Sequence, residues 1–321
     1  MISAKSGSLR RAVKRNVEGY LFASPWIVGF VVFTLGAMLF SLFLSFARWD
    51  AQTPLDQIQF IGPRNYKEMF TEDEFFYKAL YNTAYYSFFS VPLRVAVALL
   101  LAILLNQKVR GIAFFRTAFY LPSIVIGAAT AVVWSWIFNP SYGPLNSALH
   151  NVNAFLDHVH LGFINLPEPG WLESELWSKP ALILMSVWGV GSSMLIYLAG
   201  LQGVPGHLYE VADLDGASSV RKFWNITVPM ITPTIYFNLI ISVIGAFQVF
   251  TQVYVITPDH AGGPNNSTLV YVLHLYRKAF DELRMGYACA LAWVLFVIIL
   301  FFTLLIIRSS ALWVYYEGER R

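Results

Sequence analysis

Residues 210–229 read EVADLDGASSVRKFWNITVP: three acids within six positions, a glycine, then a basic and aromatic stretch closing on a proline. The segment lies between two long apolar runs, so its local structure decides how the chain is organised. Pro205-Gly206 closes the preceding apolar run. HLYEVADLD (207–215) contains no breaker, and Leu208, Val211, Ala212 and Leu214 or Asp215 recur at helical spacing, giving one mildly apolar face. Gly216 stands where a helix must stop, because glycine takes the left-handed C′ conformation without strain. Ser218 or Ser219 can then cap a second short helix, VRKFWNI (220–226), whose Phe223, Trp224 and Ile226 form a greasy side. Pro229 and Pro233 open the next run, where a missing N–H costs little. The stretch predicts two short helices joined at a glycine turn.

Outward from this loop, the chain is apolar. Of 321 residues, 57% are hydrophobic and only 13% are charged, against about 25% charged in a soluble domain. A membrane protein accounts for so much apolar surface. A spanning helix needs roughly 20 apolar residues, and six runs qualify: about 21–47, 80–105, 114–138, 180–202, 231–257 and 288–308. These define an all-α membrane protein with a basic N-terminal segment (1–20), a six-helix domain (21–308) that includes the loop 203–230, and a short tail (309–321). The first run follows Lys5, Arg10, Arg11, Lys14 and Arg15, yet it is too long for a signal-peptide core and no Ala-x-Ala site follows. It reads as a retained helix. The net charge of +3 gives no argument for a nucleic-acid partner, and the single cysteine, Cys289, excludes an intramolecular disulfide.

Basic residues set the orientation. With a cytoplasmic N-terminus, the inner segments 1–20, 106–116, 203–230 and 308–321 hold 13 Lys and Arg, while the longer outer segments 48–79, 139–179 and 258–287 hold 8. Both termini and the 203–230 loop are therefore expected on the cytoplasmic side. Outside, NYKEMFTEDEFFYKALYNT (65–83) has the spacing of an amphipathic helix, and 139–179 is a long polar segment.

The loop resembles the signature of ATP-binding-cassette importer permeases, E-A-A, a glycine four residues on, then I-x-x-P. Here it is Glu210-Val211-Ala212, Asp215-Gly216-Ala217, Ile226 and Pro229, with Val211 replacing the first alanine. The resemblance runs from about residue 17 to 308 through GYLFASPWIVGFVVFTLGAMLFSLFLSF (19–46), FIGPRNYKEMF (60–70), FRTAFYLPSIV (115–125), FNPSYGPLN (138–146), VYVITPDHAGGPNNST (253–268, with an apparent insertion before Gly262) and GYACALAWVLF (286–296). It is to the carbohydrate-type, binding-protein-dependent subfamily, relatives of the maltose and glycerol-3-phosphate permeases. It implies an importer-type permease fold in a bacterial or archaeal cytoplasmic membrane. It also implies that the loop is a coupling helix seated on an ATPase subunit. The implied partners are a second homologous permease, two ATP-binding-cassette ATPase subunits, an extracytoplasmic solute-binding protein docked on the outer loops, a sugar, and membrane lipid. ATP and Mg would be bound by the ATPase subunits, with no cofactor in this chain and no catalytic role for it.

Sugars are held by hydroxyl and amide groups and by aromatic stacking. The fourth run offers Trp188, Ser192 and Ser193, and the fifth offers Asn238, Ser242, Gln248 and Gln252. In the maltose-type relatives the sugar site falls near the positions that are 189–193 and 242–249 here, but this chain has Gly245, Ala246 and Val249 where those relatives carry larger or polar groups. The other function class is a self-contained secondary transporter or a membrane-embedded enzyme. It calls for paired ionisable residues within spans; the spans contain almost none, and only Arg94 stands out. Such a residue faces the protein interior or snorkels to an interface. There is no G-x-x-x-x-G-K-[ST] and no H-E-x-x-H. Asp157, His158 and His160 form a small polar cluster that reads as a loop rather than a metal site.

Overall fold

The structure, a computed structural model, describes residues 19–107, 109–125, 127–159, 165–257 and 262–315. The basic N-terminal residues Lys5 to Arg15, His160 and the tail beyond 315 lie outside these.

Among the described residues three helices are each long and apolar enough to cross a membrane: Gly19–Ser45, Phe76–Leu105 and Met285–Trp313. Three further pairs reach that length together across a bend: Ile112–Ile124 with Gly127–Ile137, Ser178–Trp188 with Gly191–Gln202 (49°), and Ser219–Met230 with Thr232–Phe247 (64°). With each bent pair taken as one span, these are numbered spans 1 to 6 in chain order. The largest departure from the apolar runs is in the fifth. The run at 231–257 is a helix at Thr232–Phe247 and a separate one at Thr251–Ile256. The bend at Ile231 also joins span 5 to the second loop helix. The bend leaves few unpaired groups, because Pro229 and Pro233 have no N–H and the Thr232 hydroxyl donates to the Pro229 carbonyl at 2.6 Å. Segment 65–83 is not one amphipathic helix. It is Arg64–Thr71, a turn, and then the start of span 2 at Phe76. Asp73 makes the break: its Oδ1 accepts the N–H groups of Phe75 and Phe76 at 3.0 and 3.2 Å.

The chain divides into two compact units. The first comprises residues 1–72 and 278–293. In it a two-stranded antiparallel ribbon pairs Ala47 with Phe60 and Arg48 with Gln59. Buried Asn65 donates to the carbonyls of Ser45 and Ala47 at 2.8 and 3.0 Å, which stops span 1 and ties it to Arg64–Thr71. Arg284 pairs with Glu68 and lies over the Tyr287 ring. Span 1 itself is largely bare, with Phe22 and Phe33 80% or more exposed, so its apolar surface is left for lipid or another chain.

The second unit comprises residues 73–277 and 294–321. Span 2 is its centre and packs against both halves of span 4 and against Thr232–Phe247. Lipid tails are as apolar as leucine, so these contacts rest on close packing rather than on escape from water. Small residues permit it: Ala79, Ala98, Ala102, Ala131 and Ala181 are completely buried. A Cβ on Gly200 would sit 2.6 Å from the Thr234 hydroxyl, so glycine is what lets spans 4 and 5 touch.

Candidate functional site

The loop forms a braced hairpin. Its first helix, Gly206–Leu214, starts after Pro205. At its end the Ala217 N–H reaches the Ala212 carbonyl (2.9 Å) and the Gly216 N–H reaches the Asp213 carbonyl (3.1 Å). This pair of bonds is a Schellman closure, and it requires Gly216 at φ +71°. Ser218 then caps the second helix by accepting from the Arg221 N–H at 3.4 Å. Two side-chain contacts hold the helices together: Lys222 Nζ to Asp213 Oδ1 at 2.6 Å, and the Tyr209 and Thr227 hydroxyls at 2.8 Å. Glu210, Val211, Asp215 and Gly216 are exposed, whereas Ala212, Ala217, Ile226 and Pro229 are half-buried. Leu214 (88%), Val220 (69%) and Trp224 (62%) also lie open. A loop between spans thus shows apolar side chains beside carboxylates on a fixed scaffold, which is the make-up of a docking surface.

Five of the seven path candidates fall at helix breaks, in span 4 and just beyond span 5, while Asn238 and Ser242 lie within Thr232–Phe247. Trp188 ends the first half of span 4, and Ser192 and Ser193 lie in the first turn of the second half. Gln248 follows the last residue of span 5, and Gln252 lies in the first turn of Thr251–Ile256. Discontinuous helices of this kind line substrate paths in transporters. Trp188, Ser192 and Gln248 are exposed, and Trp188 meets the Trp134 ring edge-on at 5.8 Å. Asn238 and Ser242 are buried, and the Asn238 amide donates to the Thr234 carbonyl within its own helix. A Cβ on Gly127 would lie 3.4 Å from the Gln252 amide nitrogen, so that pair is close. The candidates are therefore split between open and buried positions.

Sequence reasoning missed a buried polar belt around residues 262–274. His274 Nε2 lies 2.8 Å from Asp73 Oδ2, with side chains 3% and 5% exposed. Asn82 donates to the carbonyls of Asn266 and Leu269, Thr83 accepts from the Tyr271 N–H at 2.8 Å, and Ser178 meets Ser267 at 2.8 Å. Burial, and secondarily the Asp73 charge, holds the Tyr271 phenol well above its usual range. The only sequence signal was the cluster of Asn, Ser and Thr at 265–268, whose partners lie some 180 residues away or, for Ser267, nearly 90.

A family described as binding-protein-dependent transport system inner membrane component matches residues 75–313. The chain belongs to this family. The permease is 44% identical to the probable ABC transporter permease protein YesP of Bacillus subtilis over 98% of its length and 96% of that protein's. It is 33% identical to the arabinooligosaccharides transport system permease protein AraP of the same species, covering 92% of this chain and 89% of that one. It is likewise 33% identical to the lactose transport system permease protein LacF of Rhizobium radiobacter, covering 93% and 95%. Its fold matches a chain of a bacterial ABC transporter involved in the import of the acidic polysaccharide alginate, with a TM-score of 0.75 at 24% identity over 94% of this chain and 98% of that one. The permease is thus the all-α membrane component of an importer of the ATP-binding-cassette class. It is a transport component and not itself an enzyme.

Proposed function

We propose that the permease forms one half of a sugar path across the cytoplasmic membrane and that the loop 203–230 is its mechanical link to an ATPase. The observation that carries this reading is the braced hairpin at 206–230, stiffened at Gly216 and open on its apolar side. The other half of the path is a second, homologous permease. Two ATPase subunits bind ATP and Mg, and an extracytoplasmic binding protein delivers the sugar to the outer segments. Both termini and the loop face the cytoplasm. When ATP closes the ATPase dimer, the hairpin on each permease half turns its spans from an inward-open to an outward-open arrangement. Hydrolysis returns them. Glu210, Val211, Ala212, Asp215, Gly216, Ala217, Ile226 and Pro229 make the link, while Trp188, Ser192, Ser193, Asn238, Ser242, Gln248 and Gln252 line the path. The relatives named for arabinooligosaccharides and lactose support a sugar as cargo. So does the similar alginate transporter, solved with a pentasaccharide-bound periplasmic protein. Uptake of a labelled sugar panel into vesicles holding the assembled transporter tests this. ATP-dependent uptake of at least one sugar supports the reading, and uptake of none contradicts it.

A further inference from the structure

Arg94 sits in the nineteenth position of the thirty-residue span 2. The other Lys and Arg residues of the six spans lie in the first or last two turns, and no Asp or Glu lies in any of them. A charge at this depth is costly and marks a functional contact. Two alternatives to a role inside the bundle fail on geometry. The residue is not lipid-facing: Ser87, Ser90 and Ala98, all buried, share its helix face at helical spacing. Its Nε is fully buried and makes no hydrogen bond among the described residues. Nor does it snorkel to the nearer end of the helix. The C-terminal end is about 16 Å away at 1.5 Å per residue, and helical side chains lean the other way, towards the N-terminus.

The level of Arg94 can be read from its neighbours. Val91 and Pro92 line one surface with Val243 and Phe247. Ala98 shares a core cluster with Ile231, Ile235, Val190 and Met194, while Val91 shares another with Met185. Between these anchors, Arg94 is level with Asn238 and Ser242 of span 5 and with the break in span 4 between Trp188 and Gly191. The polar groups on and beside this face are hydroxyls: Ser87, whose buried Oγ has no hydrogen-bond partner among the described residues, Ser90, and Tyr86, which lies beside Ser186. Trp134 lies edge-on to Trp188, and its buried indole N–H likewise has no partner among the described residues. A cation with no counter-ion among the described residues, level with buried hydroxyls and with a helix break that carries an aromatic pair, is the donor set for a sugar that carries a negative charge.

We propose that Arg94 is the counter-ion for a carboxylate on the transported sugar, so that the cargo class is acidic oligosaccharides. This rests on the sugar-import reading above and narrows it. A guanidinium forks onto both carboxylate oxygens, which a lysine ammonium does only as a point charge. The buried Nε then gains the acceptor it lacks.

The test uses the assembled transporter in vesicles and a paired panel: short galacturonate, glucuronate and mannuronate oligomers, each beside its carboxyl-reduced neutral form. The wild type is expected to take up at least one acidic member at least tenfold faster than its neutral partner. In Arg94→Gln that preference should vanish, with acidic uptake down tenfold or more, while Arg94→Lys keeps part of it. Co-purification of the other subunits with each variant reports assembly. Wild-type uptake confined to neutral members overturns the proposal and leaves the sugar-import reading standing. So does unchanged acidic uptake in Arg94→Gln. Loss of assembly in Arg94→Gln also overturns it, because Arg94 would then pair with another subunit. Uptake of no sugar of either kind contradicts the import reading itself.

Discussion

Lys222 Nζ lies 2.6 Å from Asp213 Oδ1 and fastens the two helices of the hairpin across the Gly216 turn. The Asp213 side chain is 61% exposed, so the pair is a surface one, worth about 0.2–1 kcal/mol. The turn geometry, not this pair, should therefore carry the hairpin. A double-mutant cycle of Lys222→Ala and Asp213→Ala, read as the affinity of the permease for its ATPase, is expected to give a coupling below about 1 kcal/mol. A coupling of several kcal/mol would place the pair inside the docked interface instead.

Gly216 should matter through its backbone alone. A Cβ there would meet nothing within 4 Å, but φ is +71°. A β-carbon in that conformation costs on the order of 1–2 kcal/mol, and asparagine tolerates it best. Gly216→Asn is expected to bind the ATPase better than Gly216→Ala, and Gly216→Leu to bind worst. A loss that follows side-chain size, with Gly216→Ala binding better than Gly216→Asn, would show that space, not conformation, is limiting.

Asp73 holds two structures with one side chain. Oδ1 caps span 2, and Oδ2 meets buried His274. Losing a cap costs about 0.5–2 kcal/mol, and breaking a buried pair about 3–5 kcal/mol. Asp73→Asn keeps an acceptor for the cap and loses the charge, so it should lower the unfolding temperature in detergent less than Asp73→Ala. Identical melting of the wild type and Asp73→Ala would remove this pair from the account.

The orientation rests on the Lys and Arg count. A reporter fused after Arg321 is expected to report cytoplasm, and one inserted near Gly170 the outside. Both on one side would break the six-span topology.

Much of this was legible in the sequence for stated reasons. The apolar runs show themselves by length. The turn at Gly216 and the cap at Ser218 are local chemistry, written in adjacent residues. What could not be read depends on partners far along the chain. Pro229 and Pro233 flank the bend at Ile231, and Gly189 and Gly191 flank the break after Trp188, but such residues also occur in continuous membrane helices, where neighbouring helices satisfy the freed groups. The split of 65–83 turns on Asp73, whose partner His274 lies 201 residues away. Gln248 and Gln252 looked like one continuous helix because Val249 and Phe250 are apolar. Only the fold shows that Phe250 leaves helical geometry, at φ −145°. Arg94 was visible as an isolated charge, but its direction was not.

The central claim is that the hairpin transmits ATPase movement to the path. Its most direct test is a tagged permease carrying Glu210→Lys or Gly216→Leu, assayed for ATPase co-purification and for sugar uptake. Truncating one member of a desolvated charge pair costs about 2–5 kcal/mol, and a reversal costs at least as much. Both variants are therefore expected to insert normally, to lose most of the co-purified ATPase and to lose uptake in proportion. A reversed charge on the ATPase should restore Glu210→Lys. Normal co-purification and normal uptake in both variants would contradict the account and leave 206–230 as a surface loop.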